Sequence, residues 1–386
     1  MTRLILLDPP NPGPEWAPFA GVRPIAELRA GAFLIWERWN RLLAATSVGV
    51  ISPATPAFAD VDSIELVDPG TVVGPAIVAL STFAPLGDDL RLLPGTRALV
   101  AEGSVVAWVL EDGERWSGPR PLAEGVEVKG LRLAAATDLI TACERLLEAD
   151  CIALAKDGQP SVPPGSVVIG DPAALVVRTA SVEPHVVFDL RKGPIVLEPD
   201  AVVRAGTRLE GPLYVGSHTW LLGGAIRHSA IGPHCRIHGE ISTSVFFGYA
   251  NKSHDGFVGH SAVGQWVNLG AGTITSNLKN TYGEVRLELP TGRLPTGRTN
   301  LGTLFGDHAK TGIGTLLSTG TVIGVGANVV QREAPRFVRP FAWGGADRQT
   351  QDGFVTVAGR VMPRRGVVIT DQLLASLRAI HGRHAR

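Results

Sequence analysis

A chain of 386 residues exceeds one ordinary hydrophobic core, so two domains are expected, with room for a third small element. Apolar residues make up 45% and charged residues 19%, and 36 basic side chains balance 36 acidic ones; this argues against nucleic acid and anionic membrane surfaces as partners. The three cysteines, Cys143, Cys151 and Cys235, lack CxxC spacing, so they point to neither a disulfide framework nor a zinc site and fit a reducing cytoplasm.

The chain opens on "RLILLD", a strand whose apolar run is broken by Asp8 and several prolines, too short for a signal sequence or a membrane span. "PIAELRAGAFLIWERWNRLL" (24–43) follows with a Pro suited to a first helical turn and with Ile25, Leu28, Ala32, Ile35, Trp39 and Leu42 on one stripe, which predicts a helix. "ALVAEGSVVAWVLEDG" reads as strands. "ATDLITACERLLEADCIAL" (136–154) opens on Thr137 or Asp138 as a cap, repeats Leu139, Cys143 and Leu147 at four-residue spacing, and predicts a second helix. Residues 1–180 are therefore expected to form an α/β domain.

From about residue 195 the helical period disappears. Apolar residues recur every six positions at Leu197, Val203, Leu209, Val215 and Leu221, and again at Phe305, Thr311, Leu317, Ile323 and Val329, with small turn-forming residues between them. That period predicts a parallel β-helix of hexapeptide repeats over 181–333, each repeat one flat side of a three-sided coil. A β-sandwich would alternate with a period of two instead. "PTGRLPTGRTNLGT" (290–303) interrupts the count and is expected to leave the coil as a loop. Residues 334–386 lose the period and end in a basic helix, "TDQLLASLRAIHGRHAR", expected to cap the open end.

The stretch "YANKSHDGFVGHSAVGQWVNLGAGTITSNLKNTYGEV" (249–285) mixes coil with departures from it. "NKSHDG" and "TSNLKNTYG" fall at coil edges and gather His254, Asn277 and Lys279 there. An amine attacking a thioester must be unprotonated, and an imidazole, ordinarily titrating near about 6.5, is a suitable base at pH 7; His254 is the candidate. A backbone N–H near Ala271 or Gly272 is the candidate donor to the developing oxyanion, because small residues let a cofactor approach the main chain. Asn277 is expected to orient the amine or a hydroxyl. His260, six residues after His254, falls at an ordinary coil position and reads as structural, and Asn268 reads as a turn residue. His228, His234 and His238 have no known zinc spacing, so no metal site is assigned. In the N-terminal half the first strand leads into prolines rather than a glycine loop, and Pro lacks the N–H a phosphate cradle requires. Arg23 and Arg29 are the remaining candidates for phosphate contact, with Asp88 and Asp89 as candidate magnesium ligands.

The "SHDGFVGHSAVGQWVNLGAGTITSN" register resembles the bifunctional GlmU-type enzymes, which acetylate glucosamine-1-phosphate and then uridylylate the product. "RPIAELRAG", "FFGYANKSHDGFVG", "SNLKNTYGEV", "GDHAKTGIGT" and "FAWGGAD" are similar to an alternate bacterial GlmU-like type of sugar nucleotidyltransferase, across both halves of the chain. The resemblance implies a nucleotidyltransferase-like α/β domain, a left-handed parallel β-helix and a homotrimer. It implies His254 and Asn277 as catalytic residues and Phe257 and Lys279 as substrate contacts; Lys252, which flanks the candidate histidine, and Arg23 and Arg29 are the further candidate substrate contacts. Phe257 stands where the family has a tyrosine, Lys279 is shifted from the family's lysine, and Ser242 stands where the family has a basic residue.

By the same resemblance, acetyl-CoA or another acyl-CoA would lie between neighbouring coils, against Ala271 and Gly272 and against Ile313 and Gly314 of an adjacent chain. A sugar phosphate and a nucleoside triphosphate with Mg2+ complete the implied partners, in cytoplasmic nucleotide-sugar biosynthesis for the cell envelope. Two other readings stay open: a sugar-1-phosphate nucleotidyltransferase, such as a UDP-N-acetylglucosamine diphosphorylase, that uses the β-helix as a trimerisation scaffold, and a non-catalytic assembly protein.

Overall fold

The computed structural model describes residues 3–55, 64–121, 124–156, 158 and 161–384, so the last two residues of the expected basic C-terminal helix lie outside the described residues. Its contacts divide the chain into two compact units. The first comprises Met1–Gly13, Ala20–Leu28 and Phe33–Ala135, and the second Pro14–Phe19, Arg29–Ala32 and Ala136–Arg386.

In the first unit the strand Arg3–Leu7 lies inside a mixed seven-stranded sheet, parallel to Ser47–Ile51 on one side and Ala76–Leu80 on the other. Leu4, Ile5 and Leu6 are fully buried, as an apolar run covered on both faces should be. Ala98–Ala101 and Ser104–Leu110 form the antiparallel pair read from "ALVAEGSVVAWVLEDG".

The helix predicted over 24–43 forms only in its second half, α1 (Ile35–Leu43), with a single 3-10 turn at Ile25–Glu27. The Asp8 carboxylate, at the end of the first strand, accepts from Ile25 N at 2.9 Å and Ala26 N at 3.3 Å. Gly31 then adopts a left-handed backbone, with φ of 67°. The predicted stripe is buried all the same, because burial rather than helicity was what its spacing recorded.

The second unit contains α2 (Asp138–Lys156) and the parallel β-helix of left-handed hexapeptide type. Three inward columns fill the prism. Leu197, Val215, Ile231, Phe246, Val263, Phe305, Ile323 and Val338 stack on face A. Val203, Leu221 and Ile237 lead to Lys252 on face B, continued by Leu269, Thr311 and Val329. Phe188, Leu209, Ile226, Ile241 and Val258 stack on face C. Nine of the ten residues of the two predicted six-residue runs fall in these columns, and the tenth, Leu317, pairs with Thr275 and packs into the same core. The coil pairing begins at Val167, ahead of the regular sixes.

Between Leu221 and Val263 the columns use steps of four to six residues, and this is why the even count fades there while the coil continues. The interruption predicted at 290–303 is part of a hairpin, Val285–Leu289 with Gly292–Arg298, whose base is closed by a bridge between Leu278 and Asn300.

The A-to-B corner carries a ladder of left-handed residues, His218, His234, Tyr249, Trp266 and His308. Their rings stack with centroid separations of 4.7, 4.7, 4.4 and 6.1 Å. Past the last coil strand come α3 (Gln351–Val361) and α4 (Asp371–His384). Phe354 of α3 packs edge-on against His308 and Phe341. His381 of α4, the expected capping helix, lies 4.4 Å from the Phe341 ring at the last rung.

Candidate functional site

Face B turns into face C at a corner where each rung needs a left-handed or Cβ-free residue: Gly239, Gly256, Gly272 and Gly314 have φ of 92°, 130°, 70° and 72°. A Cβ on Gly256 would stand 2.2 Å from Thr273 O, so glycine is required by the rung beyond it. Gly272 N donates to Asp255 O at 3.0 Å and Gly314 N to Ala271 O at 2.7 Å. The pairs His254–Asp255, Ala271–Gly272 and Ile313–Gly314 are thus successive rungs, spaced by roughly 4.8 Å as adjacent strands are.

The candidate base and the four candidate cofactor residues share one corner. Ile313 is 85% exposed, and a Cβ on Gly314 would meet nothing within 4 Å, so the main chain is open to close approach there. Since Gly272 N is engaged, Ala271 N is the corner amide of that rung with no acceptor among the described residues.

His254 is exposed, with no side-chain partner among the described residues. Its backbone is anchored from inside: Lys252 occupies an inward column position, is fully buried, and its Nζ donates to His238 O at 3.1 Å and to His254 O. Burial lowers the Lys252 amine to about 8, against the opposing pull of Asp255. Strand alternation explains the placement, since Asn251 beside it faces outward and pairs with Asn268.

Beyond the corner, Phe257, Ile274 and Leu316 face outward from successive rungs of face C. With Thr275, Ser276, Asn277, Leu317, Ser318, Glu333 and Ala334 they line an open cavity of about 620 Å³. Phe257 and Asn277 thus meet at one cavity. Lys279 Nζ instead donates to Glu284 O at the base of the hairpin.

Asn277 also makes a contact that the sequence does not announce: its Nδ2 lies 2.8 Å from His260 Nδ1. His260 precedes Asn277 by 17 residues, one coil, and counting coils rather than hexads would have placed them side by side. Glu144 of α2 and Arg298 of the hairpin complete this group, and neither carries a motif.

The remaining candidates lie elsewhere. Arg23 is buried in the first unit. Arg29, in the second, is buried with its guanidinium 5.7 Å from the Tyr214 ring and donates to Ala32 O. Asp88 pairs with Arg41 at 2.9 Å, and Asp89 N donates to Arg41 O at the end of α1. The three histidines weighed as a cluster face three different corners: His228 beside Cys143, His234 in the ladder, and His238 beside Asp255. All three cysteines are free and buried. Among the described residues no helix is long and apolar enough to cross a membrane.

No family model matches the chain. A bifunctional sugar-1-phosphate nucleotidylyltransferase/acetyltransferase of Sulfurisphaera tokodaii is 31% identical over 150 residues, 36% of this chain and 35% of the relative. The bifunctional protein GlmU of Gloeobacter violaceus is 30% identical over 175 residues, 42% of this chain and 36% of the relative. That of Methanocaldococcus jannaschii is 32% identical over 85 residues, 22% of this chain and 21% of the relative. The chain spans about a third or less of the length of these curated relatives. Over that span, it is similar to proteins named bifunctional sugar-1-phosphate nucleotidylyltransferase/acetyltransferase and bifunctional protein GlmU.

Proposed function

We propose that the chain is a GlmU-like transferase of sugar-nucleotide biosynthesis whose β-helix transfers an acetyl group from acetyl-CoA to the amine of an amino-sugar phosphate such as glucosamine-1-phosphate. One observation carries the reading: His254, Ala271, Gly272, Ile313 and Gly314 occupy successive rungs of one corner, beside a cavity lined by Phe257 and Asn277.

In this mechanism His254 removes a proton from the attacking amine, the amine nitrogen bonds to the thioester carbon, and the carbon–sulfur bond breaks. The thiolate leaves and takes up a proton. Ala271 N donates to the carbonyl oxygen as it gains charge. The acyl carrier runs along the open backbone of the corner, past Ile313, whose exposure suits cover by a neighbouring chain of a homotrimer. The setting is cytoplasmic and serves cell-envelope precursors.

The relatives' printed names and the mixed sheet of the first unit favour a second activity, Mg2+-dependent nucleotidyl transfer to a sugar-1-phosphate. Against it, the amides following the first strand are occupied by the protein's own Asp8 carboxylate, which burial pushes above the usual carboxylate range.

The test supplies the full chain with acetyl-CoA and glucosamine-1-phosphate, and separately with nucleoside triphosphate, Mg2+ and N-acetylglucosamine-1-phosphate. The expected result is acetylation that falls by about a hundredfold or more in His254→Ala. Acetylation unchanged in that variant overturns the mechanism; pyrophosphate release without acetylation favours the nucleotidyltransferase reading; turnover with neither set favours an assembly protein.

A further inference from the structure

α2 and the hairpin converge on the C-to-A corner, behind the cavity. From Asn277 the contacts lead away from the cavity: Nδ2 lies 2.8 Å from His260 Nδ1, and His260 Nε2 faces Glu144 Oε1 at 4.0 Å. Arg298 Nη2 holds the same carboxylate oxygen at 2.6 Å, while its Nη1 donates to Thr141 Oγ1 at 2.7 Å. Glu144 is thus fixed from the hairpin side and presents an acceptor to one edge of the imidazole.

A neutral imidazole carries one N–H. With a carboxylate facing Nε2, the proton belongs on Nε2, because the opposite tautomer would aim a lone pair at an anion. Nδ1 is then an acceptor, so the group that meets it must be the amide N–H2 of Asn277 and not its carbonyl oxygen. Burial first, and then the positive charges of Arg298 and Arg227, lower the His260 pKa against the opposing pull of Glu144, which keeps the ring neutral at pH 7.

We propose that His260, held by Glu144 and Arg298, is a positioning residue that locks the Asn277 amide so that Oδ1 alone is offered to the cavity, as a hydrogen-bond acceptor. The cavity therefore selects an acceptor substrate that brings an N–H or O–H donor to this point. Identifying that donor as the attacking amine rests on the acetyl-transfer reading; the locked amide does not. Held by one N–H, the amine has its lone pair directed away from Asn277, free to meet the thioester carbon.

The test combines a spectroscopic and a kinetic measurement on the full chain. Long-range 1H–15N spectra at pH 7, with the His260 signals assigned by their loss in His260→Gln, are expected to show Nε2 protonated and Nδ1 bare. His260→Leu is expected to lower kcat/KM for acetylation of glucosamine-1-phosphate by about tenfold or more, whereas His260→Gln, whose side-chain oxygen still accepts from Nδ2, restores it to within about threefold of wild type. A proton on Nδ1 at pH 7, or a glutamine variant no better than the leucine variant, overturns the proposal. If the wild-type chain does not acetylate the sugar, the acetyl-transfer reading fails by itself, and the tautomer together with the shift of the Asn277 side-chain amide protons between wild type and His260→Leu still decides the locked amide.

Discussion

Lys252 occupies a column that Ile237 and Leu269 continue on either side, so a charge-bearing amine stands where an aliphatic side chain would pack. Its protonated form is disfavoured inside the prism, and the amine titrates at about 8 against an ordinary 10.5. The folded chain therefore releases this proton before the unfolded chain does. The stability it contributes is complete above about 10.5 and is lost as the pH falls through about 8. Lys310, half-buried on the outer side of face B and lowered to about 8 by burial, adds a contribution of the same sign.

Urea unfolding of wild type is thus expected to show stability rising between pH 8 and pH 10, and Lys252→Met is expected to remove about half of that rise. A slope left unchanged by the substitution means that Lys252 does not titrate in this window. Acetylation should fall in the same variant, because the carbonyl of His254 loses its internal anchor.

At the scale of elements, α3 meets the coil through Phe354, which packs against Phe341 and His308 and also against His381 of α4. Phe354→Ala is expected to cost about 3–5 kcal/mol in chemical denaturation, the usual price of emptying a buried aromatic site. A loss below about 1 kcal/mol would show that α3 is held elsewhere.

This attachment was not legible in the sequence, since helical spacing marks an amphipathic face without naming the surface that receives it. The coil was legible because the six-residue step is imposed by the prism itself. The steps of four to six residues between Leu221 and Val263 blurred it only where corner residues were dropped. The 24–43 helix misled because its apolar stripe records burial, while Asp8 and Gly31 decide the backbone. The register placed His254 at a coil edge, whereas Gly314 came from the family resemblance and its corner position from the structure. His260, Glu144 and Arg298 were not singled out as site residues, because their meeting depends on α2 and the hairpin reaching one corner from distant parts of the chain.

For the molecule as a whole, acid sensitivity follows from the ladder. His234 stacks between His218 and Tyr249, and burial lowers its pKa to about 4, helped by the positive groups His218, Arg236 and Arg365. The unfolded chain binds this proton at about 6.5, so stability present above 6.5 is lost as the pH falls through about 4. His260, also lowered, acts in the same direction. Thermal unfolding is expected to occur at progressively lower temperature between pH 6.5 and pH 4. His234→Phe, which keeps a ring at a left-handed corner as Phe341 does, should flatten the decline. An identical decline in the variant would assign the acid loss to other groups.

Ala271 and Gly314 are hydrogen-bonded neighbours although the whole hairpin lies between them in the chain. The coil therefore behaves as a ruler with fixed graduations: the distance from His254 to the Ile313 rung is set by the strand spacing, whatever the loop between them contains. The hairpin can lengthen, shorten or change its residues without moving the graduations. The part of the chain that delivers Arg298 to Glu144 and Thr141 is thereby free to diversify, while the spacing along the corner stays constant. On the proposed acetyl transfer, changes in which acceptor is recognised and changes in how far a carrier must reach are separate inheritances.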